Sequence, residues 1–263
     1  MSKLRAAVVQ TEPVFGDVQA NVEQALDLIP AGCDLAVLPE LFSTGYQFRS
    51  RAEAAELAEP LPDGPTAVRM IEFAAANRVA IVAGIAETGN NCLYNSCLLA
   101  RPDGGIAVYR KTHLFWEEKL CFAPGDSGFA VHDAAGARVG MMICFDWIFP
   151  ESARTLAMAG AGIICHPSNL VLPHCPDAMI TRCIENRVFA ITANRVGVEN
   201  RTGRRLRFIG LSRIVSPRGE ILVGLDETET GAAVAEIDTI ETDKSITPLN
   251  DLWEDRRPEL YGI

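Results

Sequence analysis

Apolar positions in the first third of the chain switch between the two-residue period of strands and the longer period of helices. Short apolar runs bounded by turn residues predict strands, and segments with apolar residues three and four apart predict helices. The predicted elements are strand 4–10, helix 18–29, strand 34–40, a helix opened by a capping box at 50–53, helix 66–77 and strand 79–87. This alternation indicates an α/β architecture.

Strands and hairpin turns dominate the rest of the chain. The predicted strands are 93–100, 106–111, 129–132, 138–144, 162–165, 190–196, 212–215, 220–225 and 232–237, with a turn at 89–91, loops at 115–127 and 199–207, a helix from Pro150 to Gly160 and a helix at 177–189. Helix–strand alternation followed by hairpins favours an α/β sandwich with mixed sheets over a purely parallel sheet. We expect one domain over residues 1–263, with an extended C-terminal tail from about residue 239.

Charge and composition narrow the classes of partner. A net charge of −10 and a pI near 5.0 argue against nucleic acid or an anionic membrane. No apolar run approaches the length of a membrane span, and the first residues lead directly into a predicted strand, so we expect neither an anchor nor a signal peptide. The eight cysteines mostly lie within apolar segments, which favours a reducing cytoplasmic compartment over a disulfide framework.

Two Cys–His pairs are candidates for a metal site. Cys165-His166 and His174-Cys175 bring four candidate ligands within a short span. Adjacent residues of a strand point to opposite faces, so Cys165 and His166 are poorly placed to bind one ion together. No CxxC pair supports them, and we expect neither a metal nor another cofactor.

Three predicted strands end in a chemically reactive residue: Glu40, Lys111 and Cys144. A cysteine attacks carbon as its thiolate, which a nearby ammonium group favours. A carboxylate can take up the thiol proton and return it to a leaving amine, and a lysine can stabilise the developing oxyanion. Each residue also has a simpler interpretation, because Cys144 can be a buried apolar side chain, Glu40 a helix cap and Lys111 a solvated charge.

The segments that carry these residues are distinctive in their order and separation. They are Leu38-Pro39-Glu40-Leu41-Phe42, Tyr109-Arg110-Lys111-Thr112-His113-Leu114-Phe115 and Gly140-Met141-Met142-Ile143-Cys144-Phe145-Asp146-Trp147-Ile148-Phe149-Pro150-Glu151. Together they resemble the three signature motifs of the nitrilase superfamily of carbon–nitrogen hydrolases. The resemblance extends over almost the whole chain, with further agreement at 122–126, 166–169, 182–187 and 216–219.

The resemblance implies a fold and a set of roles. The implied fold is a four-layer αββα sandwich, and the implied roles are Cys144 as nucleophile, Glu40 as general base and acid, and Lys111 as the cation at the tetrahedral intermediate. A second glutamate of the family corresponds to Glu118, six residues before Pro124. The alternative for Glu118 is a solvated acidic loop shared with Glu117.

Five further residues are candidates for substrate binding. Asn169 follows a predicted strand, and the other four are aromatic and close in sequence to the implied catalytic residues. The candidates are Tyr46, Trp116, Phe145, Trp147 and Asn169. Core packing is an equally good interpretation for Trp147. His113 is better explained as a hydrogen-bonded bridge between loops than as a base, because Glu40 already supplies one.

The resemblance implies a small-molecule amide or nitrile as the substrate. We expect an amidase that converts a small aliphatic amide to carboxylate and ammonia through a Cys144 thioester, because dedicated nitrilases commonly have Trp-Glu where Phe145-Asp146 stands here. The alternatives are a nitrilase of aliphatic nitriles or dinitriles, an N-carbamoyl-amine amidohydrolase, and a catalytically silent scaffold. A cysteine peptidase is disfavoured, since no histidine lies in a peptidase signature.

A homodimer or larger even oligomer is expected. The helices that begin near Pro150 and Asp177 carry small and apolar residues beside charged ones, which suits packing against a symmetry mate. The residues considered for this contact are Ala153, Leu156, Ala157, Ile180, Ile184 and Val188.

Overall fold

The computed structural model describes residues 3–89 and 91–261, so Asn90 of the predicted turn and the ends of the chain lie outside the described residues. Two mixed β-sheets pack face to face, and helices cover the outer face of each. The order of layers is therefore helix, sheet, sheet, helix. The predicted four-layer αββα sandwich is confirmed.

The first sheet has seven strands in the order β15-β1-β2-β4-β5-β6, with β3 paired to β4. Its strands are β1 Lys3–Gln10, β2 Leu35–Val37, β3 Glu59–Pro60, β4 Ala80–Gly89, β5 Cys92–Ala100, β6 Ile106–Arg110 and β15 Gly231–Asp238. Strands β1, β2 and β4 are parallel, whereas β5 and β6 return as antiparallel hairpins. Strand β6 consequently runs in the same direction as β2.

The second sheet has six strands in the order β14-β13-β10-β9-β8-β7. Its strands are β7 Val131–Ala134, β8 Ala137–Met141, β9 Ile163–Pro167, β10 Phe189–Ala193, β13 Arg213–Val215 and β14 Ile221–Gly224. The central strands β8, β9 and β10 are parallel and almost fully buried. Loops that follow them therefore emerge at one edge of the sheet, where ligands bind in α/β folds.

The helices and the remaining short strands complete the described chain. The helices are α1 Val18–Asp27, α2 Arg51–Leu57, α3 Pro65–Asn77, α4 Glu118–Cys121, α5 Pro150–Met158 and α6 Cys175–Asn186. Two small strand pairs are β11 Val198–Glu199 with β12 Leu206–Arg207, and β16 Ser245–Thr247 with β17 Asn250–Asp251. Among residues 3–89 and 91–261, no helix combines the length and apolarity that crossing a bilayer requires.

Two clusters of buried apolar side chains join the layers. One contains residues of α1 and α3 against the outer face of the first sheet, including Leu26 and Met70. The other joins the inner face of the first sheet, at Val8 and Val37, to the second sheet and its helices. Because every central strand is covered on both faces, its sequence is a continuous apolar run rather than an alternating one.

Several predicted boundaries are wrong for local reasons. The helix expected at 177–189 spans Cys175–Asn186, because Arg187 adopts a left-handed conformation (φ 51°) and Val188 and Phe189 turn inward toward the sheet. The strand expected to reach Cys144 ends at Met141 and gives way to a 3₁₀ turn. Such turns depend on tertiary hydrogen bonds that periodicity does not report.

The two predicted loops and the tail contain more structure than expected. The loop at 115–127 includes the one-turn helix α4, and the loop at 199–207 is closed at both ends by the pairing of β11 with β12. The tail from about residue 239 contains the short strands β16 and β17 and two 3₁₀ turns. Lys244 fastens it to the body by donating hydrogen bonds to the carbonyls of Asn186 and Arg187, at 2.9 and 2.8 Å.

Most of the helix residues proposed for the oligomer contact are buried within the chain itself. Ala153, Leu156, Ala157 and Val188 belong to the core cluster of the second sheet. Of the six residues, Ile184 remains clearly exposed, at 50%. The apolar stripe of α5 thus serves intrachain packing, which is what an amphipathic helix on a sheet usually does.

Candidate active site

The three strand exits singled out in the sequence meet at one end of the sandwich. Glu40 follows β2 and Lys111 follows β6, both in the first sheet, whereas Cys144 follows β8 in the second sheet. Lys111 contacts Glu40 directly, and the charges of both act on the Cys144 thiol. The site therefore lies between the two sheets, at the edge where their parallel strands end.

Close contact between the backbone of β4 and the backbone around Glu40 fixes the position of Glu40. Gly84 of β4 donates its N–H to the carbonyl of Pro39, at 3.0 Å. A Cβ at Gly84 would lie 2.4 Å from the Cα of Glu40, so only glycine allows this approach. Leu41 then takes a positive φ of 48°, which turns the chain sharply after the carboxylate.

Lys111 is fully buried and is surrounded by carboxylates. Its Nζ lies 2.7 Å from Oε1 of Glu40 and 2.7 and 2.8 Å from the two oxygens of Glu118. Burial alone would lower the pKa of Lys111, but the negative charges of Glu118 and Glu40 outweigh it and raise the pKa above its ordinary value. Lys111 therefore stays protonated at every physiological pH.

Glu118 is part of this buried group, whereas Glu117 lies outside it. The Oε1 atom of Glu118 accepts a hydrogen bond from the Tyr46 hydroxyl at 2.7 Å, and Oε2 accepts one from the backbone of Phe115 at 3.1 Å. Glu117 lies nearer the surface, 3.8 Å from Arg204. The interpretation of Glu118 as a solvated loop carboxylate is wrong.

The two carboxylate oxygens of Glu40 have different surroundings. Oε1 accepts hydrogen bonds from Lys111 and from the Asn95 side chain, both at 2.7 Å. Oε2 is buried and has no hydrogen-bond partner among the described residues. Burial, reinforced by the Glu118 charge and opposed by Lys111, raises the pKa of Glu40 to about 7. A carboxyl group with this pKa can both accept and donate a proton near neutrality.

Cys144 opens a 3₁₀ turn, Cys144–Ile148, in a strained conformation with φ 40°. The His166 ring holds this backbone, since its Nε2 lies 2.9 Å from the carbonyl oxygen of Cys144. Burial raises the pKa of the Cys144 thiol, and the Glu40 charge adds to this effect. The thiol is therefore protonated at neutral pH and needs a base before it can attack.

Asp146 stabilises the turn that presents Cys144. One carboxylate oxygen accepts hydrogen bonds from the Ile143 backbone and the Tyr109 hydroxyl, both at 2.8 Å, and the other lies 2.7 Å from Nδ1 of His113. His113 thus bridges two loops, as expected from the sequence. Both carboxylate oxygens of Asp146 are used in these bonds within the protein. Asp146 therefore does not support the preference for an amide substrate through a contact with that substrate.

A narrow crevice opens beside Cys144. Its walls are mostly apolar and include three of the predicted substrate-binding residues. The lining residues are Phe115, Cys144, Phe145, Trp147, Asn169, Leu170, Val171 and Leu172. The predicted residues Tyr46 and Trp116 line an adjacent depression together with Glu118. Each of the five therefore lines a depression that also contains Cys144 or Glu118.

Asn169 also connects the two sheets. Its side-chain amide donates to the backbone carbonyl of Glu40 at 2.8 Å, and its backbone hydrogen-bonds the Cys144 thiol. Its Oδ1 is buried without a partner among the described residues. Asn169 thus holds Glu40 and Cys144 in register and leaves one acceptor for a ligand.

Sequence reasoning missed Asn95 and Phe115 and did not assign a role to His166. Asn95 interrupts the apolar run of β5 together with Ser96, and a polar pair inside a buried strand was the available signal. His166 had a comparable signal within β9. Among the described residues, no group of three or more His, Cys, Asp or Glu side chains is arranged to hold a metal ion.

The sequence model of the carbon–nitrogen hydrolase family matches residues 5–244. The chain belongs to the carbon–nitrogen hydrolase family. This hydrolase is 48% identical to a nitrilase of Pyrococcus abyssi over 98% of its own length and 99% of the relative. It is 35% identical to an (R)-stereoselective amidase of a Pseudomonas species, over 98% of this chain and 93% of the relative.

A solved structure of an amidase from Nesterenkonia sp. AN1 is also similar to this hydrolase. The TM-score is 0.80 at 26% identity, over 98% of this chain and 95% of the amidase. The structure is of a variant that carries the acetamide moiety of fluoroacetamide bound covalently at its active-site cysteine. The family and the fold expected from the sequence are confirmed.

Proposed function

We propose that this hydrolase cleaves small aliphatic amides to carboxylate and ammonia through a thioester on Cys144. The single observation that carries the proposal is the buried Lys111, held 2.7 Å from both Glu40 and Glu118 beside the Cys144 thiol. A permanently charged ammonium in a dry site is suited to stabilise an oxyanion. The covalent adduct on the cysteine of the Nesterenkonia amidase supports the assignment of the nucleophile.

The surroundings of each group suggest its part in the reaction. Oε2 of Glu40 takes the proton of the Cys144 thiol while the sulfur attacks the amide carbon, and the carbonyl electron pair moves to oxygen. Lys111 and the N–H of Phe145 stabilise that oxyanion. Phe145 lies in the first turn of the 3₁₀ segment, where N–H groups have no intrahelical partner. Glu40 then protonates the nitrogen, and ammonia leaves with formation of the thioester.

Hydrolysis of the thioester reuses the same groups. Glu40 is now a carboxylate again and takes a proton from the attacking water. The second tetrahedral intermediate collapses, and the sulfur leaves as the proton returns to it, which releases the carboxylate product. Glu118 and Tyr46 do not exchange protons in this sequence, and their role is to hold Lys111 in place.

Lys111 favours amides over nitriles as substrates. Attack on an amide places negative charge on oxygen, which a nearby cation stabilises without proton transfer. Attack on a nitrile produces a thioimidate whose nitrogen takes up the proton that Glu40 removed from the thiol, so this step forms no oxyanion for Lys111 to stabilise. The lining of the crevice is apolar apart from the catalytic groups and Asn169, which favours a neutral aliphatic substrate.

Nitrile hydrolysis is the second candidate, because the Pyrococcus relative that is 48% identical to this chain, over 99% of the relative, is named a nitrilase. The comparison of kcat/KM for propionamide and propionitrile decides between the two. We expect the amide to be preferred by at least about tenfold, which is about 1.4 kcal/mol of transition-state binding. A tenfold preference for the nitrile would show that the proposed reaction is wrong while leaving the Cys144 assignment intact.

We propose a homodimer that forms through α5, α6 and the C-terminal tail. Apolar side chains remain exposed on these elements, including Met158, Ile184 and Leu249. Light scattering at micromolar concentration should therefore give twice the 28.5 kDa mass of one chain. Ile184→Glu should shift the mass to that of a monomer, whereas Val68→Glu, at an exposed position of α3, should not. A native protein that is monomeric at this concentration would contradict the proposal.

Two further proposals concern the chain as a whole. We place the protein in the cytoplasm, because all eight cysteines are free thiols and seven are buried, which suits a reducing compartment. We also propose that residues 1–263 work as a single catalytic domain. In support, Glu40 and Cys144 come from different sheets, so neither sheet contains a complete site.

A further inference from the structure

Asn95 is a polar residue in the middle of the buried strand β5, and its side chain is fully inaccessible to solvent. Its Nδ2 atom donates a hydrogen bond to Oε1 of Glu40 at 2.7 Å. Its backbone carbonyl accepts a hydrogen bond from the N–H of Lys111 at 2.8 Å. Asn95 is thus bonded to both charged members of the proposed triad without itself reaching the crevice.

The hydrogen bonds of Asn95 differ from those of buried asparagines that support loops. Asn21 accepts from the backbone of Val14 and donates to the carbonyls of Val14 and Ser43, and both ends of its amide are used. The Oδ1 atom of Asn95, by contrast, has no partner among the described residues. Its one side-chain hydrogen bond is to the Glu40 carboxylate. Burial of an amide with half its capacity unused is unfavourable, and the half of the Asn95 amide that is used bonds a charged group of the site rather than a loop carbonyl.

The bond from Asn95 determines which oxygen of Glu40 is free. Lys111 and Asn95 both donate to Oε1 and approach it from different strands, so this oxygen has two charge-assisted hydrogen bonds. Oε2 has none. Rotation of the carboxyl group out of its present plane would lengthen both bonds, so the two donors hold that plane and leave the other oxygen free.

We propose that Asn95 is a positioning residue that fixes Oε1 of Glu40, so that Oε2 is the oxygen that takes the proton from Cys144 and returns it to the leaving group. The inference deepens the proposed hydrolase function and rests on it. Asn95 acts through Glu40 and does not touch the substrate.

The hydrogen bond also stabilises the ionised form of Glu40. It lowers the pKa of Glu40 and so opposes the larger effect of burial. The net effect of burial, of the Lys111 and Glu118 charges and of the hydrogen bonds is a pKa of about 7. The acidic limb of kcat/KM should therefore lie near pH 7 in the native enzyme, because Glu40 is an effective base above that pH. Loss of the Asn95 donor raises the pKa and moves the limb to higher pH.

The test compares Asn95→Leu, which has a similar volume and no donor, with the isosteric Asn95→Asp. In Asn95→Leu we expect kcat at pH 7 to fall by about tenfold to a hundredfold, the effect of one hydrogen bond to a charged group, with KM nearly unchanged. The acidic limb should move up by about one pH unit. Asn95→Asp should move it further, because a carboxylate in addition to Glu118 then faces Glu40.

A matched control separates positioning from packing. Asn186 is also fully buried, donates its Nδ2 to the Arg182 carbonyl at 2.9 Å and has an unpartnered Oδ1, but it lies at the end of α6. Asn186→Leu should lower Tm and leave the acidic limb in place. A folded Asn95→Leu enzyme with an unmoved limb would overturn the proposal, and so would an equal shift in Asn186→Leu. If Asn95→Leu does not fold, the position of the acidic limb of kcat/KM in Asn95→Asp tests the proposal.

A second measurement keeps this test separate from the test of the reaction. Iodoacetamide alkylates thiols without any amidase activity, and peptide mass spectrometry reports its rate at Cys144 alone. The rate should rise through pH 7 in the native enzyme and through a higher pH in both Asn95 variants. If no amide or nitrile is turned over but this shift is found, the proposed substrate is wrong and the role of Asn95 stands. An unshifted alkylation profile overturns the role of Asn95 even in an active amidase.

Discussion

Replacement of Cys144 by alanine is expected to lower kcat by about 10⁵-fold or more, because groups that act as one unit lose nearly all their effect when one is removed. The remaining groups, Lys111 and the Phe145 N–H, can stabilise charge but cannot form the thioester. Ammonia release from propionamide measures the loss. Cys144→Ser should be almost as inactive, since the hydroxyl of serine is far less acidic than a thiol and Glu40 is too weak a base for it.

The control for this prediction is another buried thiol. Cys33 is 3% exposed and packs on the outer side of the first sheet, away from Cys144. Cys33→Ala should lower Tm because it leaves a small cavity, and kcat should stay near that of the native enzyme. Substantial activity in a folded Cys144→Ala protein would remove Cys144 from the mechanism. Mass spectrometry of the native enzyme during turnover should show an acyl adduct on this cysteine.

The meeting of these three residues could be predicted from the sequence because each lies within three residues of the end of a strand. Glu40, Lys111 and Cys144 lie where apolar runs stop, and parallel strands bring their carboxyl ends to one edge. The same reasoning failed for Asn95, which lies inside a strand and meets Glu40 across 55 residues of sequence. Hydrogen bonds of that separation depend on strand order and register, which the apolar pattern does not specify.

Phe145 and Asp146 illustrate the limit of residue-type arguments at a site. The two are adjacent in the sequence and were expected to bear on substrate choice together. The structure separates them, because Phe145 lines the crevice and packs on Phe115 at 5.0 Å, whereas the Asp146 carboxylate is directed into the turn. Which of two adjacent residues faces the substrate depends on the backbone of the 3₁₀ turn, and no periodicity predicts that turn.

Glu118 shows how burial changes the meaning of a charge. Glu117 and Glu118 are adjacent residues of the same type, but Glu117 precedes the short helix α4 and Glu118 is its first residue. Glu118 is 6% exposed and shares Lys111 with Glu40, so the site holds two carboxylates around one ammonium. The second carboxylate raises the pKa of Glu40 toward neutrality, so Glu40 is a stronger base for the thiol and still holds a proton for the leaving nitrogen near pH 7.

Glu40→Gln is expected to lower kcat by about a thousandfold or more while the protein stays folded, because a general base and acid contributes about 10² to 10⁴ in rate. The side-chain oxygen of glutamine can still accept from Lys111, and Lys111 keeps its bonds to Glu118. The acidic limb of kcat/KM near pH 7 should disappear with the group that titrates there. Glu59→Gln is the matched control. The buried Glu59 carboxylate accepts hydrogen bonds from the backbones of Thr66 and Ala67, far from Cys144. This substitution should lower Tm without lowering kcat.

The pH dependence of stability provides a second, independent measure of the Glu40 pKa. Its pKa of about 7 in the folded chain is above the 4.5 of an ordinary glutamate, so between these values the native state binds more protons than the unfolded state. The stabilising contribution of the protonated group is complete below about pH 4.5 and is lost as pH rises through about 7. Glutamine does not titrate, and the Tm of Glu40→Gln relative to the native enzyme should therefore increase between pH 5 and pH 8. A Tm difference that is constant over this range would mean that Glu40 titrates like an exposed glutamate, and its role as the acid that protonates the leaving nitrogen would then fail.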